Sequence, residues 1–328
     1  MKTKIQSKQI IIGAIIALAG LAGIAFYFNR TQVFDWFSGL SYTPTQEVIA
    51  LEDSIGLTDA GKLILRATHP ALDSREDFNY NCDSHDSDIS ILGCYSDNRI
   101  YIYNVTEEQL NGIRESTLAH ELLHAVWERL SDSEKNRLSA IITELFNSEE
   151  YNSLLSENLE NYNESDRIDE LHSRIATEIA EIPDELQSHY AKYFTDRQAL
   201  IKFYNSYIDP FRKLSDKLEE IADKLKTLDS TVNEKTQAYY ANTEKLSTEI
   251  DEFNKCAETA GCFATDYAFR VRRNELVTSK NALENEYNAI NDIINQYNAL
   301  VKEYNENVVR SKTLESIINS NSKVEDIK

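Results

Sequence analysis

Proline and glycine are scarce in this chain, 4 and 9 residues in 328, and a β-rich or loop-rich fold would need more of both for its turns. Together with long charged periodic runs, that shortage points to a mainly helical architecture. Basic residues are also in deficit. With 34 Lys and Arg against 55 Asp and Glu the formal net charge is -21, which argues against a nucleic-acid partner, because phosphate contacts are made by Lys and Arg. The 4 cysteines form two close pairs, Cys82 with Cys94 and Cys256 with Cys262, and neither has Cys-x-x-Cys metal spacing. In an oxidising compartment each pair closes a short disulfide loop; in the cytosol the same residues stay free thiols.

Charge is missing altogether from Ile10 to Phe28, a run long enough to span a bilayer. Lys2, Lys4 and Lys8 precede it, against Arg30 and Asp35 after it, so the positive-inside rule places the amino terminus in the cytoplasm and the main body outside. The run lacks a clear small-x-small exit at its end and reads as an uncleaved anchor. The expected order is a cytoplasmic tail over 1–9, a transmembrane helix over 10–28 and a linker over 29–41, in a single-pass protein of the cell membrane. Tyr27, Phe34, Trp36 and Phe37 suit the interfacial belt.

Beyond the linker, 45–54 and 58–67 read as short helices, the second ended by His69-Pro70, with His69 structural. The segment 78–96 is polar and irregular. Asn98 to Val105 is β-branched and aromatic, so the region reads as a hairpin whose first half Cys82 and Cys94 bracket and staple. Cys82 to Asp88 is acidic but lacks regular ligand spacing and reads as a solvated loop rather than a cation site. Thr106-Glu107-Glu108-Gln109 is a capping-box pattern and should open a helix running to about Leu130. Ser131 to Glu134 repeats the device for a second helix through Phe146.

Within the first of these helices lies His120-Glu121-Leu122-Leu123-His124. His120 and His124 share one helix face, one turn apart, where two imidazoles can grip one metal ion. Glu121 points about a quarter-turn away, outside the coordination shell but within reach of the water such a metal activates, which is the place of a general base. Ala119, Leu122, Leu123, Val126 and Leu130 share an apolar arc with both histidines at its edge. Histidines of a packed core would sit inside the arc and bond a carbonyl each.

A catalytic zinc takes three protein ligands and keeps an open position, so a third donor must come from elsewhere. The helix expected over Asp166 to Ile179 carries Glu170, His172 and Glu178. Periodicity puts Ile168, Leu171, Ile175 and Ile182 on its apolar face, with Glu178 inside that face and Glu170 off it. A buried carboxylate needs a metal or a salt bridge, here to Arg174 or Arg167. Glu170 could also pair with Arg174 at (i, i+4) spacing, so all three donors stay open.

His-Glu-x-x-His followed one or more helices later by a glutamate resembles the glutamate-type zincins, which are zinc metallopeptidases. Glu170-Leu171-His172-Ser173, with Pro183 closing the helix, is similar to the Glu-aromatic-aromatic-Ala segment of the anthrax lethal factor and Mlc titration factor branch, with Leu171 and His172 replacing the aromatic pair. That resemblance implies Glu170 as the third zinc ligand and Tyr162 as a stabiliser of the oxyanion. It also implies that the strand from Ile100 to Val105 is the edge along which an extended peptide pairs.

After Pro210 the apolar residues Leu214, Leu218, Ile221, Leu225, Leu228, Val232, Tyr239, Leu246, Ile250 and Phe253 follow a seven-residue repeat. Leu276, Leu283, Tyr287, Ile290, Ile294, Tyr297, Val301, Tyr304 and Val308 repeat it. Two such runs fold back as an antiparallel coiled-coil hairpin over 209–328, with a Cys256–Cys262 disulfide at the tip. The expected whole is a mainly α chain with a small β-hairpin in a zincin-like head over 42–208, the anchor before it and the coiled coil after it. The function it implies is a membrane-anchored, extracytoplasmic zinc metallopeptidase acting on a peptide or protein, with the coiled coil open to a partner or to self-association. The competing readings are a non-enzymatic surface scaffold and a binder of wall polymers.

Overall fold

Short polar side chains start most of the helices. In the computed structural model, which describes residues 30–82, 91–156, 159 and 162–321, Thr45 accepts from the Val48 N–H and Thr58 from the Gly61 N–H. These caps open α1 (Gln46–Ser54) and α2 (Asp59–Ala67) close to their expected bounds. Three residues later β1 (Ala71–Asp73) begins, and Ser74 then caps α3 (Arg75–Asn81). The expected irregular segment is therefore helical at its start. The tail over 1–9, the anchor over 10–28 and residues 83–88 of the acidic loop lie outside the described residues. Among the described residues no helix is long and apolar enough to cross a membrane.

β2 (Gly93–Ser96) and β3 (Arg99–Tyr103) form the expected hairpin, turned by Asp97 and Asn98 at φ 49° and 59°. The expected placement of the edge is wrong, however. β1 pairs in parallel with β3, Ala71 opposite Tyr101, so the order is β1-β3-β2 and the strand assigned to the edge is the central one. β2 is the outer strand beside the metal-motif helix, and a disulfide from Cys82 to Cys94 ties it to the end of α3 across 6.0 Å between Cα atoms.

The motif helix, α4 (Ile113–Arg129), also departs from expectation at its start. Thr106 does not open it: Glu108–Leu110 makes one 3-10 turn and the chain then breaks at Gly112, φ 97°. The cause is tertiary. A Cβ on Gly112 would lie 2.6 Å from the Phe203 carbonyl oxygen and 3.0 Å from its Cα, so a later backbone passes where a side chain would stand. α5 (Asp132–Phe146) starts on Ser131 as expected, followed by α6 (Glu149–Leu155), α7 (Glu164–Glu178) capped by Asn163, and α8 (Asp184–Tyr190).

The core lies where α4 packs on α7 and on the sheet. Leu118, Ala119, Leu122 and Leu123 of α4 meet Leu171, Ile175 and Ala176 of α7, with Ile100 and Ile102 of β3 in the same cluster. Each of the larger side chains contributes on the order of 1.5–3 kcal/mol by leaving water. Residues 30–41, expected as a linker, are helical and docked. Asp35, buried at 6% exposure, accepts from the Arg129 guanidinium at 2.9–3.2 Å, and Ser38 donates to the Ala67 carbonyl at 2.9 Å.

The chain divides into two compact units, one running to Pro210 and resuming at Glu315, the other Phe211–Leu314. The boundary expected at 209 is crossed by α9 (Arg197–Glu258), which holds Pro210 in its interior at the loss of one backbone hydrogen bond. α10 (Asp266–Ile318) ends in the first unit, where Asn79 donates to the Ser320 carbonyl at 2.8 Å and Arg75 to that of Ser316 at 3.1 Å. Residues 315–321 thus belong to the head rather than to the hairpin.

Within the second unit α9 and α10 run antiparallel. Lys217 meets Glu303 at 3.1 Å, Asn242 meets Glu286 at 3.2 Å and Glu249 meets Arg272 at 3.1 Å. Leu214, Ile221, Leu246, Leu276 and Ile290 are buried along the seam, whereas Ile250, Tyr287 and Ile294 of the expected repeat are 36%, 51% and 37% exposed. Two helices cover only a narrow stripe of each other, and a straight helix drifts from a strict seven-residue period. At the tip Cys256 and Cys262 are bonded, with Phe253, Phe263 and Phe269 packed ring to ring at 5.1–5.5 Å.

Gly112→Ala should destabilise the head by about 2 kcal/mol or more, combining a left-handed residue with a backbone clash. A urea midpoint equal to that of the unaltered chain would contradict this account of where α4 begins.

Candidate metal centre

The helical spacing of His120 and His124 turns both rings to one side of α4, and α7 brings Glu170 against them. His120 Nε2 and His124 Nε2 are 3.1 Å apart, and Glu170 Oε2 lies 3.5 Å from each. The donor atoms of these three residues all lie within 4.8 Å of one another, and the group could hold a metal ion. Both histidine side chains are about one-fifth exposed, so the donors face a cleft rather than the core interior.

Asp169, next to Glu170, accepts from His124 Nδ1 at 3.0 Å. A carboxylate at that distance requires the proton on Nδ1, which leaves the Nε2 lone pair turned toward His120 and Glu170. Burial raises the Glu170 carboxyl, but the two imidazoles outweigh it and hold the group far below the usual carboxylate range. For the histidines burial opposes protonation, and the Glu170 and Asp169 carboxylates override it, so both are raised. A metal cation would displace those protons, since it competes for the same lone pairs.

Glu121 stands apart from this set. It is buried at 6% exposure, and burial lifts its carboxyl above the ordinary value, with the neighbouring imidazoles opposing. Its seat is made by Gly93 of β2, where a Cβ would lie 2.7 Å from Glu121 Cγ and 2.8 Å from Oε1. The cleft in front has a volume of about 530 Å³ and takes in β2, the two histidines, Glu121, Glu170 and Tyr162. Burial, with the Glu170 and Glu121 charges, pushes the Tyr162 hydroxyl up to about 12, so it stays a proton donor at neutral pH.

The two other candidates for third ligand are engaged elsewhere. Glu178 pairs with Arg174 through two bonds of 3.0 and 3.2 Å, and Arg174 also donates to the Leu155 carbonyl at 2.9 Å. The partner considered for Glu170 is thus taken by the carboxylate one turn further on. His172 points into the core, where Trp127 lies over it at 5.0 Å and its Nε2 meets His189 Nε2 at 2.9 Å. Among the described residues neither Nδ1 of this histidine pair has a hydrogen-bond partner.

Asp169 and Gly93 were not identified from the sequence as parts of this site, whereas Arg174 was, as the ion-pair partner of a carboxylate on its own helix. Asp169 had a signal, because a ligating histidine needs a partner for its other nitrogen and two adjacent carboxylates on one helix can serve both needs. Gly93 had none, since its role depends on how closely β2 crosses α4. Compared with family models, curated proteins and solved structures, the chain finds no match.

Elemental analysis of the purified chain should find about one metal ion per molecule, lost in the double variant His120→Ala, His124→Ala; equal metal in both would remove this site from consideration. The His172–His189 pair generates a second expectation. Burial, with help from Lys192, lowers His189 from 6.5 to about 4, and His172 is lowered in the same direction by burial and by His189. Between about 4 and 6.5 the unfolded chain takes up protons that the folded chain refuses, so acidification across that window removes stability and none of it is lost above 6.5. Urea midpoints at about pH 7 and about pH 5 should fall further for the unaltered chain than for His189→Phe, and equal falls would contradict the assignment.

Proposed function

We propose that the chain is a zinc-dependent metallopeptidase of glutamate-type zincin character, anchored to the cell membrane through residues 10–28 with its head outside. The observation that carries this reading is the convergence of His120 Nε2, His124 Nε2 and Glu170 Oε2 beside a separate, buried Glu121. Two imidazoles and one carboxylate are a donor set suited to zinc. Their separations of 3.1, 3.5 and 3.5 Å are close to the edge of a tetrahedron. With bonds of about 2.0–2.1 Å that edge is about 3.3 Å.

His120, His124 and Glu170 would hold the zinc, which would supply a Lewis acid for the peptide carbonyl and for water at neutral pH. Glu121, buried beside the histidines, would take the proton of the attacking water and pass it to the departing amine. Tyr162 donates a hydrogen bond to the carbonyl oxygen as negative charge gathers on it. Asp169 holds the His124 ring with Nε2 turned inward. An extended substrate pairs with β2, the outer strand over the cleft, instead of with β3. A scaffold would have no use for a carboxylate seated beside two convergent imidazoles, and the peptidase reading is preferred for that reason. The hairpin is left as the arm that meets a partner or a second copy.

Glu121→Gln should keep the metal content of the unaltered chain while peptide hydrolysis falls about 10²–10⁴-fold. Hydrolysis retained in that variant would sink the mechanism.

A further inference from the structure

The helix at residues 30–41 has two unlike sides. Asp35, Ser38 and Gly39 fall together at 100° per residue and face the head. Asp35 holds Arg129, Ser38 donates to the Ala67 carbonyl, and a Cβ on Gly39 would come within 3.5 Å of Arg66 Cβ. Trp36, Phe37 and Leu40 fall on the opposite side and are 54%, 60% and 65% exposed. Three large apolar side chains on one face of a helix this short are costly to leave in water.

We propose that this face lies in the headgroup region of a lipid bilayer and seats the head directly on the membrane. The occupant is argued from what adjoins it. The uncharged run 10–28 ends two residues before the described helix begins at 30, so a chain held by that run delivers this face to the bilayer surface. Tryptophan and neighbouring apolar residues are what interfacial helices present at that depth. The proposal rests on the reading of 10–28 as an anchor and adds that the connection is a seat rather than a tether.

The seat is rigidly joined to the cleft. Arg129, the last residue of α4, binds Asp35 on one side and on the other donates to the Tyr95 hydroxyl at 3.2 Å and to Asn98 Oδ1 at 2.6 Å. Tyr95 belongs to β2 and lines the cleft. One helix diameter, about 10 Å, then separates the bilayer surface from the Tyr95 end of the cleft. Peptide segments lying close to the membrane are the substrates this placement admits.

The chain contains 2 tryptophans, and Trp127 is only 7% exposed, so the difference between the unaltered chain and Trp36→Leu isolates Trp36 emission. The full chain is reconstituted in phosphatidylcholine–phosphatidylglycerol vesicles, floated on a density gradient, and quenched with lipids carrying a doxyl group near the headgroup end or deep in the acyl chain. A second probe, Leu40→Trp with Trp36→Phe, reports from one turn further along the same face. The expected result is flotation, with most of the Trp36 emission lost to the shallow quencher and the probe at 40 quenched to the same extent. Flotation with Trp36 unquenched, or with the probe at 40 much less quenched than Trp36, would overturn the seat while leaving the anchor standing. Failure to float would overturn both.

Discussion

The apolar seam between α4 and α7 is the constraint on which the rest of the head depends. Leu118, Leu122 and Leu123 from one helix and Leu171 and Ile175 from the other fix the relative height of two segments that lie far apart in sequence. At that height His120 and His124 face Glu170 and Asp169. A slip of one turn, about 5.4 Å, would leave two imidazoles without a carboxylate and two partly buried carboxylates without a cation. The polar cluster is thus an outcome of the packing beside it, and each charge in it is tolerable only because a partner arrives from the opposite helix.

Three glutamates in one cleft show how far surroundings set the behaviour of a single residue type. Glu170 meets two imidazoles and is held strongly ionised. Glu121, pressed against Gly93, is dominated by burial and moves the other way. Glu178 is closed into a two-bond pair with Arg174. A carboxylate ionised between two imidazoles, a buried carboxyl and a structural ion pair thus follow from position alone.

Local chemistry was readable along the chain. The helix starts near Thr45 and Thr58, the cap at Ser131, the one-face spacing of His120 and His124 and the two long apolar repeats each express a preference of a few neighbouring residues. What the text did not carry depends on contacts between distant segments. Thr106 has the residues of a capping box, but Gly112 decides where α4 starts because the backbone at Phe203 leaves no room for a side chain. Ala71–Asp73 has no strand signal and is a strand because β3 offers it an edge, which in turn removes β3 from the edge. Periodicity set Glu178 inside the apolar face and left a metal or an arginine as its partner, and only the fold selects Arg174. The docking of 30–41 through Asp35 is of the same kind, since nothing near Asp35 in sequence announces Arg129.

The return of the last helix to the head has a topological consequence. Because the head runs to Pro210 and resumes at Glu315, residues 211–314 are an insertion within one domain and not an appendage at its end. An arm attached at its end is shed when a protease cuts it, whereas an inserted arm cut at its tip leaves two fragments that each retain part of the same domain. Here the cut ends would also remain covalently joined, since Cys256 and Cys262 close the tip around Gly261. Nicking of the exposed turn would then pass unnoticed until the disulfide was reduced.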